Sequence, residues 1–436
     1  MTPTRRLRLL AAFALLGALL AGPAHAQLTV QITSGVTQPI PIAIVPFGAD
    51  ASVPGDVAAI IEADLVRSGR FAAVPRNVMV QHPTSGATLD VGQWRLLKSD
   101  YVVVGRVVTL APGFRIEFEL FNTVTGARLT GYAVPAVAGT LRLASHQAAD
   151  IIYQKILGVP GAFATRIAYV NVVGPPVGRR WRLVVADSDG ENAVPVLESP
   201  EPIMSPTWSP DGTRLAYVSF EGRMSAIYVQ NVASSARQRL SARAGINGAP
   251  AFSPDGKRLA IALSQPDGNV DVFVMDIASG GLTRITDDPA IDTEPCWTAD
   301  GRGLYFTSDR SGKPQIYRIL LARDERPVRI TFEGSYNARP RLSPDGKTLA
   351  VVTLDQGAYR IAAVDVATGR SRILSNGHLD EGPSFAPNGQ TVLFAAREGG
   401  HGVLATAAVD ASITSRISSA SGDIREPAWS PRVESP

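Results

Sequence analysis

The sequence predicts a mainly β protein: a six-bladed β-propeller in the C-terminal part, preceded by a smaller α/β domain with a mixed sheet. Three observations carry this. A proline, a large apolar residue two positions later and then a tight Asp-Gly or Asn-Gly turn recur along the chain. The recurrence has the period of one propeller blade, and it is missing before about residue 160, where strand-like and helix-like stretches alternate instead.

The repeated prolines are Pro206, Pro250, Pro295, Pro340, Pro383 and Pro427, spaced 44, 45, 45, 43 and 44 residues apart. The apolar residues that follow are Trp208, Phe252, Trp297, Leu342, Phe385 and Trp429. Turns come next: "SPDG" at Ser209, Ser253 and Ser343, "TADG" at Thr298 and "APNG" at Ala386. Glycine accepts positive φ there without steric cost, which suits a hairpin. Apolar strands such as "LAYVS" and "LAIAL" follow each turn, then a third and a fourth strand. At one end, "TRIAYVN" from Thr165 lacks the Pro-aromatic strand that should precede it; at the other, "EPAWSPR" from Glu426 is such a strand with nothing after it. The surplus strand is therefore expected to complete the first blade, giving six blades over 165–436 and removing two open sheet edges.

Proline has no N–H to give a ladder, so it belongs at a strand start or a free edge. The residues before each proline should then rim the channel: Met204 and Ser205; Asn247, Gly248 and Ala249 before Pro250; Asp292, Thr293 and Glu294 before Pro295; Asn337, Ala338 and Arg339; Asp380, Glu381 and Gly382; Arg425 and Glu426. These vary while the strands repeat, so specificity is expected on the rim. Its carboxylates, with Asp423, are expected to be solvated rather than to hold a metal, and His378 and Asp380 lie close to it.

Residues 40–160 read as the α/β domain. "IPIAIVPF" is a buried strand. A helix follows in "SVPGDVAAIIEADLVRSGRF", with Ser52 as cap, Pro54 in the first turn and Gly69 at the end. "GQWRLLKS" is a shorter helix; "YVVVGRVVTL", "FRIEFELFN" and "ARLTGYAVP" are strands; the last helix, "TLRLASHQAADIIYQKILG", is expected to be capped by Thr140. His146 on that helix reads as structural or solvent-facing. "GVPGAFA", 158–164, is the expected linker.

Residues 1–26 have a basic start at Arg5, Arg6 and Arg8, an apolar run from Leu9 to Gly22 and an Ala-His-Ala end, the pattern of a cleaved secretory leader. Removing its three arginines from the 42 basic residues leaves a balance with the 39 acidic ones, so no basic footprint for nucleic acid remains. Cys296 is the only cysteine, so no internal disulfide is available, and its apolar strand suggests a buried thiol. The segment 27–39, "QLTVQITSGVTQP", is extended: either detachable, adding a strand to a partner's sheet, or packed permanently on its own domain.

No nucleophile elbow, His-Glu-x-x-His pair or phosphate loop is found, and His82, His146, His378 and His401 are not spaced as metal ligands. No catalysis and no cofactor are therefore expected. The leader, the "SGV" segment running into "PIAIVPF", the α/β domain and the "P-x-W-S-P-D-G-x-x-L-A" repeats, with "NGAPAFSPDGKRLA" and "DTEPCW" especially close, together resemble the TolB family, periplasmic components of the Tol-Pal system of Gram-negative bacteria. The resemblance covers essentially the whole chain. It implies a non-enzymatic periplasmic protein supporting outer-membrane integrity and constriction at division. It also implies two partners, with no nucleic acid and no membrane span; a monomer is expected. The lipoprotein Pal would sit on the propeller mouth, at Asn247, Gly248, Ala249, Pro250, Thr293, Glu294 and Pro295, with Met204, Ser205, Asn337, Ala338, Arg339, Asp380 and Glu381 as neighbours. TolA would take the N-terminal segment, at Gln27, Leu28, Thr29, Val30, Gln31, Ile32, Ser34, Gly35 and Val36. Where the family often has His before "NGAP", this chain has Ile246. A mouth filled by Pal that also orders the segment would exclude TolA, and by linkage TolA would weaken Pal equally. Two other readings compete: an exported propeller that binds peptidoglycan or another glycan, and a hydrolase gated by its propeller.

Overall fold

One turn design, used repeatedly, shapes the blades. In "SPDG" the Ser209 hydroxyl accepts the N–H of Arg214 (2.9 Å) and donates to Asp211 (2.5 Å), whose carboxylate also accepts the N–H of Thr213 (3.0 Å). Gly212 supplies the positive φ of 66° that closes the hairpin. Ser253, Thr298 and Ser343 repeat the arrangement with Asp255, Asp300 and Asp345. At "APNG" there is no hydroxyl; Asn388 keeps the contact to the N–H of Gln390 and donates to the Pro160 carbonyl (3.2 Å).

The computed structural model describes residues 30–32, 38–322, 325–410, 413–417 and 422–432, so the leader lies outside the described residues. The α/β domain has strands β2 (Ile40–Ile44), β3 (Gly48–Ala49), β4 (Phe71–Ala73), β5 (Tyr101–Leu110), β6 (Gly113–Asn122) and β7 (Arg128–Ala136), after a short β1 (Val30–Ile32) discussed below. Their order is β4-β2-β5-β6-β7 with β3 beside β5; β2 runs parallel to β4 and β5, β3 runs parallel to β5, and the β5–β6 and β6–β7 pairs are antiparallel. Helices α1 (Val57–Arg67) and α3 (Leu141–Leu157) cover one face through Ile61, Leu65, Ala148 and Ile152 against Ile42, Ile44, Val103 and Ile116. Helix α2 (Val91–Leu96) sends Trp94 to the other face, against Ala43, Val102 and Val104. The alternation along β2 and β5 is that of a sheet buried on both sides.

Two expected caps are corrected. Helix α1 starts at Val57 because Asp56, not Ser52, accepts the N–H of Ala59 at 2.9 Å. A carboxylate both caps and favours the helix N-terminus, and Gly55 at φ 88° turns the chain just before it. Thr140 precedes α3, but its hydroxyl turns back to accept the N–H of Val137 (3.0 Å) and caps nothing ahead.

Six four-stranded units follow. Blade 1 contains β8 (Arg166–Val173), β9 (Arg180–Asp187) and β10 (Val194–Ser199), and its inner strand is Asp423–Trp429, antiparallel to β8. Blades 2 to 6 begin with inner strands Ile203–Trp208, Asn247–Phe252, Asp292–Trp297, Asn337–Leu342 and Glu381–Phe385. A separate apolar core fills each of the six seams between neighbouring blades, including one between blade 6 and blade 1, where Leu393 and Leu404 meet Ile167, Tyr169 and Ile424. Arginines tie seams together at the turn end: Arg166 and Arg258 stack on Trp208 and Trp297 of the next blade and donate to the carbonyls of Gly212 (2.8 Å) and Gly301 (3.1 Å).

The closure copies a hairpin without its loop. Ser430 accepts the N–H of Arg166 on its hydroxyl (3.0 Å) and gives its own N–H to the Arg166 carbonyl (2.8 Å), as Ser209 does with Arg214 inside one hairpin. Trp429 adds an indole bond to Thr165 (2.8 Å), and the Trp208 indole reaches the Ala428 carbonyl (3.1 Å). Replacing Trp429 by Ala should cost about 3 kcal/mol of unfolding free energy. The check is urea unfolding followed by circular dichroism, with a lower midpoint; an unchanged midpoint would show that closure does not limit stability.

Candidate functional site

The inner strands do more than line the channel. In all six the residue before the proline is left-handed: Ser205 (φ 51°), Ala249 (46°), Glu294 (55°), Arg339 (55°), Gly382 (64°) and Glu426 (48°). Each strand slips register at that point, between Met204 and Thr207 in blade 2 and at the equivalent step in the others. These are bulges, and proline is the residue that can occupy one without leaving an orphan donor. Five of the six left-handed residues carry a side chain, at a cost of about 1 kcal/mol or more each. Gly382 is the one position that demands glycine, since a Cβ there would stand 3.1 Å from Cα of Glu426 in the neighbouring blade.

The bulges aim this ring of residues into the channel, and all six line a cavity of ≈ 510 Å³. Across it the Arg339 guanidinium reaches Glu294 (3.0 Å) and Glu426 (3.2 Å). The same carboxylates accept backbone N–H groups turned inward by the bulge of the following blade: Glu294 accepts from Arg339 (2.9 Å) and Glu426 from Ser205. Burial works against charge on Glu426, yet Arg339 and the Ser205 N–H hold its carboxyl below the usual range. Glu381 lacks so close a cation, and burial pushes its carboxyl up, with Arg339 pulling the other way. The carboxylates expected on the rim are thus set against arginines rather than gathered for a cation: both oxygens of Asp292, itself buried, accept from Nη2 of Arg310 (2.9 and 2.7 Å), and Asp423 pairs with Arg425 (2.7 Å).

Three positions before each proline the side chain is buried: Ile203, Asn247, Asp292, Asn337, Asp380 and Ile424. Asn247, Asn337 and Asp380 are therefore not rim contacts. Asn247 accepts from Ser241 (2.6 Å) and from the N–H of Arg243 (3.0 Å), Asn337 donates to the Glu333 carbonyl (2.8 Å), and Asp380 accepts from the N–H of Gly377 (3.1 Å). They fold the loops that enter each inner strand. Ala338, Pro250 and Pro295 are buried too, while Gly248, Thr293 and Glu381 are half-buried and Met204 is exposed. His378 is exposed beside the mouth, and Cys296 is half-buried in the channel wall, where its sulfur accepts the N–H of Leu342 (3.3 Å).

The position next outward was missed by sequence reasoning, although its signal was in the repeat. Four residues before the prolines stand Pro202, Ile246, Ile291, Tyr336, Leu379 and Asp423, apolar in five of six blades. Ile246, Ile291 and Leu379 are 51%, 50% and 40% exposed, with Met204 and Tyr359 beside them. Tyr359 packs edge-on against Tyr336 at 5.3 Å. An aliphatic collar thus surrounds a rigid polar throat, a combination that buries apolar area against a partner while its polar centre selects which one.

The N-terminal segment meets neither sequence expectation in full. β1 pairs antiparallel with the outer strand of blade 6, Ile413–Arg416, in the register Val30↔Ser415, Gln31↔Thr414 and Ile32↔Ile413. It is a fifth strand on the propeller, not a strand of its own α/β sheet. Gln27, Leu28, Thr29, Ser34, Gly35 and Val36 lie outside the described residues.

Comparison with known proteins matches both halves. Residues 28–129 fit the TolB amino-terminal domain and residues 153–433 the TolB beta propeller domain. The chain belongs to the TolB family. It is 49% identical over 432 residues, 98% of each chain, to the Tol-Pal system protein TolB of Xanthomonas oryzae pv. oryzae (strain PXO99A). With the protein of that name in Xanthomonas campestris pv. campestris (strain B100) it shares 49% identity over 410 residues, 93% of each. The crystal structure of TolB from Acinetobacter baumannii superimposes with a TM-score of 0.85 at 40% identity, covering 93% of this chain and 100% of that one. The mouth of this TolB-family propeller combines bulged residues facing inward with an apolar collar facing out.

Replacing Arg339 by Met strands two carboxylates and should lower unfolding free energy by about 2 kcal/mol at pH 7. Because the Glu426 carboxyl is held low, its contribution is present above the ordinary Glu value of ~4.3 and is lost as pH falls through the depressed one. The gap between wild type and variant should therefore close in acid, measured as urea midpoints from pH 7 to pH 3.

Proposed function

We propose that this chain is a periplasmic, non-enzymatic binding component of the Tol-Pal system: it takes the lipoprotein Pal on the propeller mouth and offers TolA its N-terminal segment, in support of outer-membrane integrity and constriction at division. The observation that carries this reading is the collar of Ile246, Ile291 and Leu379 around the bulged throat. Its aliphatic character favours a protein guest over a glycan, for which stacked aromatic faces would be wanted, and among the described residues Tyr336 with Tyr359 is the aromatic pair beside it, packed edge-on. Ile246, where the family often has His, then contributes buried apolar area in place of a polar contact. The throat's pairing of Glu294 and Glu426 with Arg339 suits charge recognition more than acid-base chemistry, which needs a free proton acceptor.

The three-residue ladder of β1 on blade 6 supports exchange. A strand added at a sheet edge can be given up to another sheet edge of the same kind. Pal and TolA then oppose each other through whichever state of β1 each prefers.

Calorimetric titration tests both halves. Ile246→Asp and Ile291→Asp should each weaken Pal binding at least tenfold while leaving a TolA titration unchanged. Deleting Gln27–Pro39 should abolish TolA binding and remove any effect of TolA on Pal. Unaltered Pal affinity in both aspartate variants would overturn the mouth assignment.

A further inference from the structure

The two domains meet over a buried histidine that the binding function leaves unused. His146, on α3, is 1% exposed, and its Nδ1 lies 2.6 Å from Asp64 of α1. A carboxylate only accepts, so Nδ1 carries the proton. The other nitrogen, Nε2, is buried without a hydrogen-bond partner and points across the domain boundary to Asp189, 3.6 Å away in the turn between β9 and β10 of blade 1. In neutral imidazole that nitrogen is a lone pair set against a carboxylate oxygen. In imidazolium it is a donor aimed at an acceptor.

We propose that His146 is a pH-operated latch between the α/β domain and the propeller, its imidazolium bridging Asp64 to Asp189 and its neutral form giving up that bridge and leaving Asp189 to Arg142 alone. The groups around it fit that role. From α1 come Asp64 and Arg67, which pair at 2.6 Å; from the blade 1 turn come Asp187 and Asp189; from α3 itself come Arg142, which binds Asp189, and Asp150. Burial pushes the Asp150 carboxyl up to about 6, although it accepts the linker N–H groups of Phe163 (2.8 Å) and Ala164 (3.1 Å). Asp150 faces Arg432, so Asp64, Asp187 and Asp189 remain against two guanidiniums, one negative charge in excess, which an imidazolium balances. A metal ion fits less well: Asp64 faces the other ring nitrogen, and Arg67 and Arg142 already occupy the two carboxylates.

Burial opposes charge on the ring, but Asp64 and then Asp189 outweigh it and raise the His146 pKa. The sign follows. The stabilisation is complete below the ordinary imidazole value of ~6.5 and is lost as pH rises through the raised value of the docked protein. What remains to hold the domains includes the Arg142–Asp189 pair, the Arg70–Asp410 pair (2.8 Å) and the packing of Gly69 on Ile413, the residue opposite Ile32 in the β1 ladder.

The test is a nitrogen-detected imidazole titration of the chain from Gln27 onward, between pH 5 and 9, with the His146 signal identified by its loss in His146→Gln. The expected midpoint lies above ~6.5 and drops in Asp189→Asn, with the other histidines unmoved. Amide hydrogen exchange, corrected for its intrinsic pH dependence, should quicken about tenfold across that midpoint in the 158–164 linker and the 187–191 turn of wild type, and should not respond to pH in His146→Gln. A purely structural histidine would leave that exchange flat. A midpoint at or below ~6.5, or one that Asp189→Asn does not move, overturns the proposal, and the wild-type midpoint decides alone if the variant does not fold.

Discussion

The pairing of Asp423–Trp429 with β8 is the constraint on which the remaining geometry rests. Each seam core needs two blades, so a ring left open there would leave Ile167, Tyr169, Leu393 and Leu404 facing water and the ladder of β8 with Asp423–Trp429 unpaired. It would also separate Glu426 from Ser205 and Arg339, which sit in blades 1, 2 and 5 and meet only because the ring is complete. Closure and the binding throat are thus the same event seen at two depths. The hydrogen bonds of Ser430 with Arg166 show how chain ends 264 residues apart do the work of a local turn.

Within the closed ring, the mouth divides its labour by position. Buried polar or apolar side chains three residues before each proline fix the approaching loop. The bulge one residue before the proline turns a side chain inward. The residue four before it is left outside. Such layering lets collar residues change without disturbing the throat, because the loops are pinned by bonds such as Asn247 to Ser241 and not by the collar. Left-handed backbone at residues such as Arg339 is strain that the surrounding ladders over-determine, and it concentrates at the channel.

Much of this was legible in the sequence because it is local or periodic. Turn chemistry at Ser209-Pro210-Asp211-Gly212, the repeat length and the offset of Thr165 against Glu426 suffice to count blades and to expect the ring to close. Residue type misled where burial decides. Asn247, Asn337 and Asp380 look like solvated rim groups, and only their loop partners reveal otherwise. Ile246 looked like a departure until its counterparts Ile291 and Leu379 appeared on the same circle. Contacts between distant segments were invisible: His146 needs Asp64 and Asp189, 82 and 43 residues away, and β1 finds its place on blade 6 and not in the nearer sheet.

A ring whose fastening strand follows all its other strands has a consequence for the order of events in time. Blades 2 to 6 are complete in the chain before that strand, but blade 1 must wait with an exposed inner edge until residue 429 has emerged. Any chain stopped short of that point carries a sticky, unfinished sheet, so proteases and chaperones have a simple mark by which a truncated copy differs from a whole one.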